Sequence, residues 1–186
     1  THEPPVRGAF PSACLIALFD GAGNAAPSEI LAAWRDAGFE QIAAGTLNHF
    51  TELNRQRPPA HGAHSHTTFG INAQVHAFDD ASLLETLTQH PAVARHAAII
   101  GAGRPVCIAP IILGPTPTAD DSRLKSAFAA EWVRSCVTQL AAARCVESIT
   151  LFRTHGAGGI LREEAVTPLE ELLRQMAARS DAEARL

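Results

Sequence analysis

Gly45-Thr-Leu-Asn-His-Phe-Thr-Glu-Leu-Asn-Arg55 follows a short apolar strand candidate, Gln41 to Ala44, and places Asn48, Glu52, Asn54 and Arg55 where a buried strand becomes a loop. Such strand ends are where α/β enzymes keep their chemistry. The pattern recurs as Thr67-Thr-Phe-Gly-Ile-Asn-Ala-Gln-Val-His-Ala-Phe-Asp-Asp80 and again as Ile149-Thr-Leu-Phe-Arg-Thr-His-Gly156. Three polar strand ends in one chain point to one shared pocket.

Upstream, Cys14-Leu-Ile-Ala-Leu-Phe19 is an apolar run that fits a strand buried on both faces, and Asp20-Gly-Ala-Gly supplies its turn. Pro27-Ser-Glu opens a helix through Phe39, with Ile30, Leu31 and Trp34 at helical spacing. Downstream, Arg57-Pro-Pro-Ala-His-Gly-Ala-His64 is a breaker-rich loop, and His66 to about Asn72 is a third strand. A helix begins at Asp80-Ala-Ser-Leu-Leu-Glu85, with Asp80 or Ser82 as its cap. Val106 to Leu113 is the fourth strand, where Pro110 marks a bulge or the strand's end. A long helix from about Asp121 to Ala143 carries Phe128, Trp132, Val133, Cys136 and Leu140 on one side. Ser148 to Phe152 is the fifth strand. An amphipathic helix from Thr167 to Ala178 follows, and the polar tail, Arg179 to Leu186, is expected to fray.

Strands alternating with helices call for a parallel α/β sheet, and right-handed crossovers put every strand's C-terminal end on one side. Five βα units are too few for an eight-stranded barrel, which takes ~250 residues. The expectation is therefore one partial (β/α)8 TIM barrel over residues 1–186, core about 12–178, forming the C-terminal part of the barrel. A half-barrel leaves two sheet edges and apolar surface uncovered, so self-association is expected. The alternative is a complete open parallel α/β sheet. It requires a phosphate-binding glycine loop, which Asp20-Gly-Ala-Gly-Asn24 imitates only partly.

At 186 residues and 46% hydrophobic composition the chain can bury a core, which excludes a disordered protein. Its 15 basic residues are scattered and its net charge is −4, so no basic patch offers itself to nucleic acid or an anionic membrane. No apolar run is long enough to span a bilayer, and the start lacks the features of a signal peptide, so a cytoplasmic protein is expected. Cys14, Cys107, Cys136 and Cys145 have neither metal-site nor disulfide-scaffold spacing and read as buried small hydrophobes. A first residue other than Met, with Met176 the only methionine, points to a processed chain or a fragment.

The runs Phe50-Thr-Glu-Leu-Asn-Arg55, Ile71 to Leu87 and Ile149 to Gly156 together resemble the barrel domain of the D-apionate lactonase family, over roughly Cys14 to Leu173. The resemblance implies a (β/α)8 barrel related to the clan A retaining glycoside hydrolases, acting in sugar-acid catabolism on a lactone, with the first barrel strands absent here. It puts Glu52 at the end of barrel strand four, where related glycosidases keep an acid/base carboxylate. At the end of strand seven the family pattern is Phe-Glu-Thr-Thr-Gly, whereas this chain reads Phe152-Arg-Thr-His-Gly156. A retaining glycosidase needs two carboxyl groups roughly 5 to 5.5 Å apart, so Arg153 argues against glycosidic cleavage.

Each candidate has a chemical and a structural reading. Glu52 can serve as general base or nucleophile toward a lactone carbonyl, or simply pair with Arg55 or Arg57. Asn54 and Asn72 can donate to hydroxyls or an oxyanion, or cap turns. His76 can act as an acid or an orienting donor whose tautomer Asp79 fixes, while Asp79 and Asp80 can instead cap the helix, a role that suits Asp80 better. Arg153 can pair with Glu52 or clamp a substrate carboxylate, and it can equally mark lost activity. Asn48, Arg55, Asp79 and His155 complete the substrate-binding set. His61, His64 and His66 sit in a Pro/Gly loop without the supporting ligands of a metal site, and no cofactor is required. The function expected is opening of a small sugar-acid lactone. A non-catalytic sugar-binding barrel is the alternative, and a glycoside hydrolase-like enzyme a further one.

Overall fold

The computed structural model describes Pro4, residues 14–161 and residues 165–183. Among them the elements are β1 (Ile16–Ala17), α1 (Ser28–Asp36), β2 (Ile42–His49), α2 (Phe50–Arg55), β3 (His66–Asn72), α3 (Asp80–Glu85), α4 (His90–Ile100), β4 (Val106–Ile112), α5 (Ala127–Ala142), β5 (Val146–Leu151) and α6 (Pro168–Glu183). The strands form one sheet in the order β1-β2-β3-β4-β5. Their ladders advance together: Ile16 pairs with Ile42, and Ala43 with His66. Further along, Thr67 donates to the Pro105 carbonyl and Val106 to that of Cys145. Sequential neighbours are thus sheet neighbours throughout. An open doubly wound sheet reverses its strand order at a switch point, so this topology is that of consecutive barrel units and the open-sheet alternative falls away.

Several boundaries differ from those expected. The β1 ladder is only two residues long, although its run is apolar from Cys14 to Phe19. In contrast, β2 continues past Ala44 to His49, because Asn24 bridges Thr46 and His49 pairs with Gly70. What looked like a loop after it is the short helix α2. Pro110 lies inside β4 rather than at its end. The helix expected from Asp121 starts at Ala127: the Asp121 carboxylate accepts from the Arg123 amide and closes a separate 3-10 turn, and extended Ser126 (φ −110°, ψ 167°) interrupts the chain before α5. Thr167 caps α6 by accepting from the Glu170 amide, and the helix continues through Glu183, beyond the Ala178 expected. The last residues of the expected frayed tail, 184–186, lie outside the described residues.

Contacts gather in two compact units, one from Thr1–Ile71, Pro91–Pro110 and Leu140–Thr150, the other from Asn72–His90, Ile111–Gln139 and Leu151–Leu186. In the first unit, Leu31 of α1 packs with Ala26, Ile42 and Ala44, and Ile30, Trp34 and Phe39 close over them. The helical spacing of the α1 apolar residues is what turns that face onto β2. A Cβ on Gly45 would lie 1.9 Å from the Thr68 carbonyl oxygen, so only glycine lets β2 approach β3 here. The ladder then shifts register between Gly45 and His49, re-aiming the strand end that leads into α2. The Pro/Gly loop is held by two guanidinia: Arg35 donates to Ala63, and Arg104 to Ala60 and His64. In the second unit, fully buried Trp132 donates to the Leu83 carbonyl at 3.0 Å, fastening α5 to α3.

Candidate functional site

The first unit holds Asn48, Glu52, Asn54 and Arg55. Asn48 is exposed near the end of β2, where Thr46 Oγ1 accepts from its backbone amide and donates to the Gly23 carbonyl. Glu52 stands in the first turn of α2, with its carboxylate 2.5 Å from the Arg55 guanidinium and its side chain 31% exposed. Of the two arginines expected to compete for it, Arg55 is the partner. Arg57 instead spans to Asn54, donating to its side-chain oxygen at 2.8 Å and to its carbonyl. Half of the Asn54 amide is therefore occupied. Beside α2 a cavity of about 260 Å³ is lined by Asp20, Asn24, Ser28, Gln56 and Arg57, among others.

That cavity does not make the Asp20 turn a phosphate cradle. The Asp20 carboxylate accepts from the amides of Ala22 and Asn24, both at 2.8 Å, and the Asn24 bond holds its pKa below the ordinary carboxylate value. A carboxylate occupies the amides that a phosphate would need.

In the second unit are Asn72, His76, Asp79, Arg153 and His155. Asn72 Oδ1 accepts from the Gln74 amide at 2.7 Å while its Nδ2 donates to Pro115, so the side chain closes a turn and braces a neighbouring loop. One N–H and one lone pair are left for a ligand. His76 is exposed. Asp79 is the N-cap of α3, accepting from the Ser82 amide at 3.0 Å, and that bond lowers its pKa. The sequence favours Asp80 for this cap over Asp79 or Ser82. Asp79 takes the role because its backbone is extended (φ −87°, ψ 153°) while Asp80 is already helical. Among the described residues Asp79 makes no bond to His76.

Arg153 and His155 follow Phe152, which leaves β5 with a left-handed φ of 43°. A bulky residue there costs about 1–2 kcal/mol. The backbone carbonyls of Arg153 and Thr154 accept from Ile160 and Leu161, folding the glycine-rich segment back on the strand end. Both the Arg153 and His155 side chains are exposed and make no hydrogen bond or ion pair among the described residues.

The three histidines of the Pro/Gly loop do not converge. His61 is exposed, while His64 is buried with both ring nitrogens unpartnered. His66 lies between Ser65 Oγ at Nδ1 (2.8 Å) and Glu147 at Nε2 (2.9 Å). Among the described residues no three His, Cys, Asp or Glu side chains are placed to hold a metal ion. All four cysteines are free; Cys107 and Cys136 are buried, whereas Cys14 and Cys145 are only partly so. Burial raises the Cys136 thiol to about 12, which leaves it inert.

Sequence reasoning missed one group, Gln74, Asp121 and Arg123. Gln74 and Asp121 are buried and hydrogen-bonded to each other, and Arg123 bonds Asp121 in turn. Gln74 stood inside a quoted strand end, two positions past Asn72. Its apolar flanks, Ala73 and Val75, were the only cue.

Among the described residues no helix is long and apolar enough to cross a membrane. Comparison with curated proteins found no match. The family model described as the D-apionate lactonase TIM barrel domain matches residues 23–181. That span takes in α1 through most of α6 and every candidate from Asn48 to His155, and its barrel agrees with the sequential parallel order of the strands. The chain belongs to the family of the D-apionate lactonase TIM barrel domain, and its fold is the corresponding part of a (β/α)8 barrel.

Proposed function

We propose that this chain is a lactonase-type hydrolase that opens a sugar-acid lactone, with Glu52 as its general base. What carries the reading is the position of Glu52: a partly exposed carboxylate in the turn that follows a parallel strand, within a family match spanning the whole βα unit. (β/α)8 enzymes carry their catalytic groups on such connections. In the proposed reaction Glu52 takes a proton from water as the oxygen attacks the lactone carbonyl. The tetrahedral intermediate collapses by breaking the ring C–O bond, and the leaving ring oxygen takes a proton from His76, giving the open hydroxy acid. Arg55, next to Glu52, fixes the carboxylate rotamer. Asn48, Asn54, Asn72 and His155 are the proposed donors to substrate hydroxyls, and Arg153 the proposed partner of a substrate carboxylate. Asp79 supports this set indirectly, by anchoring the helix after His76.

A second reading, a sugar-binding barrel without turnover, draws on Arg153 standing where the family pattern has a carboxylate. The test is hydrolysis of a panel of aldonolactones, apionolactone included, by wild type, Glu52→Gln and Arg153→Glu, each checked for folding. Loss of a general base costs on the order of 10²- to 10⁴-fold, so Glu52→Gln is expected to lose nearly all turnover. Turnover retained in folded Glu52→Gln removes Glu52 from the mechanism. Activity gained in Arg153→Glu over an inactive wild type supports a degenerate barrel.

A further inference from the structure

Between β3 and α3 the chain makes an arch, Val75-His76-Ala77-Phe78, whose two large apolar side chains are exposed rather than packed: Val75 is 39% and Phe78 60% exposed. Apolar burial does not hold this segment, so its hydrogen bonds must. They converge on one carboxylate and its guanidinium partner. At one foot, buried Gln74 donates through Nε2 to the Leu113 carbonyl at 2.8 Å and to Asp121 Oδ2. At the other foot, Arg123 Nη2 donates to the Phe78 carbonyl, while its Nε reaches Asp80 Oδ1 at 2.6 Å. Arg123 Nη1 then bonds the same Asp121 Oδ2 at 3.0 Å, and Asp121 Oδ1 accepts from the Arg123 amide at 2.9 Å. Asp121 is only 9% exposed, and all its partners lie in the same compact unit.

We propose that Asp121, acting through Gln74 and Arg123, is a positioning group that clasps both feet of the arch and sets the direction of His76. The proposal rests on the reading that gives His76 a part in the reaction. The physical case is the valence of the carboxylate. An ionised Asp121 is acceptor-only and satisfies three donors at once, which no neutral side chain of its size can do. An asparagine there presents an NH2 group either to the Arg123 amide or to the Gln74 and Arg123 side chains. In both orientations at least one donor loses its acceptor. The arch then keeps its sequence and loses its aim, and reacting groups displaced by about 1 Å can cost on the order of 10²-fold in rate.

The experiment compares wild type with Asp121→Asn, with Arg123→Met as a second variant that removes the guanidinium's bonds to Phe78, Asp80 and Asp121 while leaving the Gln74 foot, and with His76→Ala. Amide hydrogen exchange is read across residues 73–80, the His76 imidazole resonances are assigned by their absence in His76→Ala, and kcat and KM are measured on the aldonolactone that wild type opens. Exchange at 75–78 is expected to rise on the order of tenfold or more with the β3 amides unchanged, as follows from losing one charge-assisted hydrogen bond. The His76 resonances should move, and kcat should fall about 10²-fold with KM held within a few-fold. A merely structural carboxylate would lower stability without splitting kcat from KM. Unchanged exchange and an unmoved His76 in both folded variants overturn the proposal, whether or not the panel contains a substrate. Turnover intact in His76→Ala overturns the reading beneath it, and the exchange and resonance data keep the two failures apart.

Discussion

Replacing Gly45 by alanine tests the closest approach in the first unit. The added Cβ would sit 1.9 Å from the Thr68 carbonyl oxygen and 2.9 Å from the Thr68 carbonyl carbon and amide nitrogen, all backbone atoms that no rotamer change can move aside. Restoring an ordinary contact means parting β2 from β3 by roughly 1 Å, which takes a ladder bond of about 2.9 Å out of hydrogen-bonding range. Overpacking of this kind costs about 1–3 kcal/mol, and each ladder bond lost adds about 1 kcal/mol. Against this, alanine makes the unfolded chain less free, which returns about 0.4–1 kcal/mol. The net expectation is a loss of about 3 kcal/mol, or a fall in Tm of about 6–12 °C for a chain of this size. Gly21→Ala is the control: nothing lies within 4 Å of its Cβ position and its φ is not left-handed, so only the unfolded-state gain applies. Urea and thermal unfolding followed by circular dichroism would read both. Equal stability of the two variants, or a Gly45→Ala protein as stable as wild type, refutes the steric argument.

Two further outcomes are expected. His64 and His90 are both buried and both depressed to about 4, His64 by desolvation and then by Arg104 and Arg35, and His90 by desolvation alone. The unfolded chain takes up these protons near pH 6.5 and the folded chain only near 4. Stability should therefore fall as pH drops from 6.5 to 4, by up to about 3 kcal/mol per histidine, with no contribution from either above that window. His90→Leu should flatten part of the slope in urea titrations run from pH 7 to 4, and an unaltered slope contradicts the assignment. Separately, among the described residues β1 and β5 each have one sheet neighbour, so sedimentation velocity at rising concentration is expected to show species larger than a monomer. A single monomeric boundary at every concentration contradicts that expectation.

What the sequence made legible depended on how local the cause was. The bounds of β3 coincide with those expected from His66 to Asn72, because the run lies between a breaker-rich loop and an Asx turn, both coded within a few residues. The strand-to-α2 passage was placed correctly but taken for a loop: Phe50 packs edge-on against Phe69, and that contact stabilises a short helix its own sequence does not announce. The true length of β2 depended on Asn24 and Gly70, which no window around Thr46 contains. The neighbours of Asp121 predict a helix start there, whereas its principal partner, Gln74, lies 47 positions away. Pattern reading finds strand ends and the polar residues on them, but it does not pair one loop's carboxylate with another loop's amide.

The sign of the charge at the end of β5 is the feature that most restricts the proposed chemistry. Glycosidic cleavage passes through an oxocarbenium-like transition state, so a guanidinium beside it opposes the reaction. Opening a lactone builds negative charge instead, first on the tetrahedral oxyanion and then on the product carboxylate, and a guanidinium beside that charge assists it. Arg153 is exposed, so in open solvent such a pairing is worth about 1 kcal/mol or less. Under the proposed reading, arginine in place of the carboxylate that the resemblance implies there does more than remove one of a glycosidase's two acids: it favours acyl transfer over cation formation. Arg153 has no partner among the described residues to neutralise it, and it follows a left-handed Phe152 that directs the chain sharply out of the strand. Under the proposed reading, a guanidinium without a partner among the described residues, placed at this strand exit, suits an ester-opening site better than it suits a glycosidase.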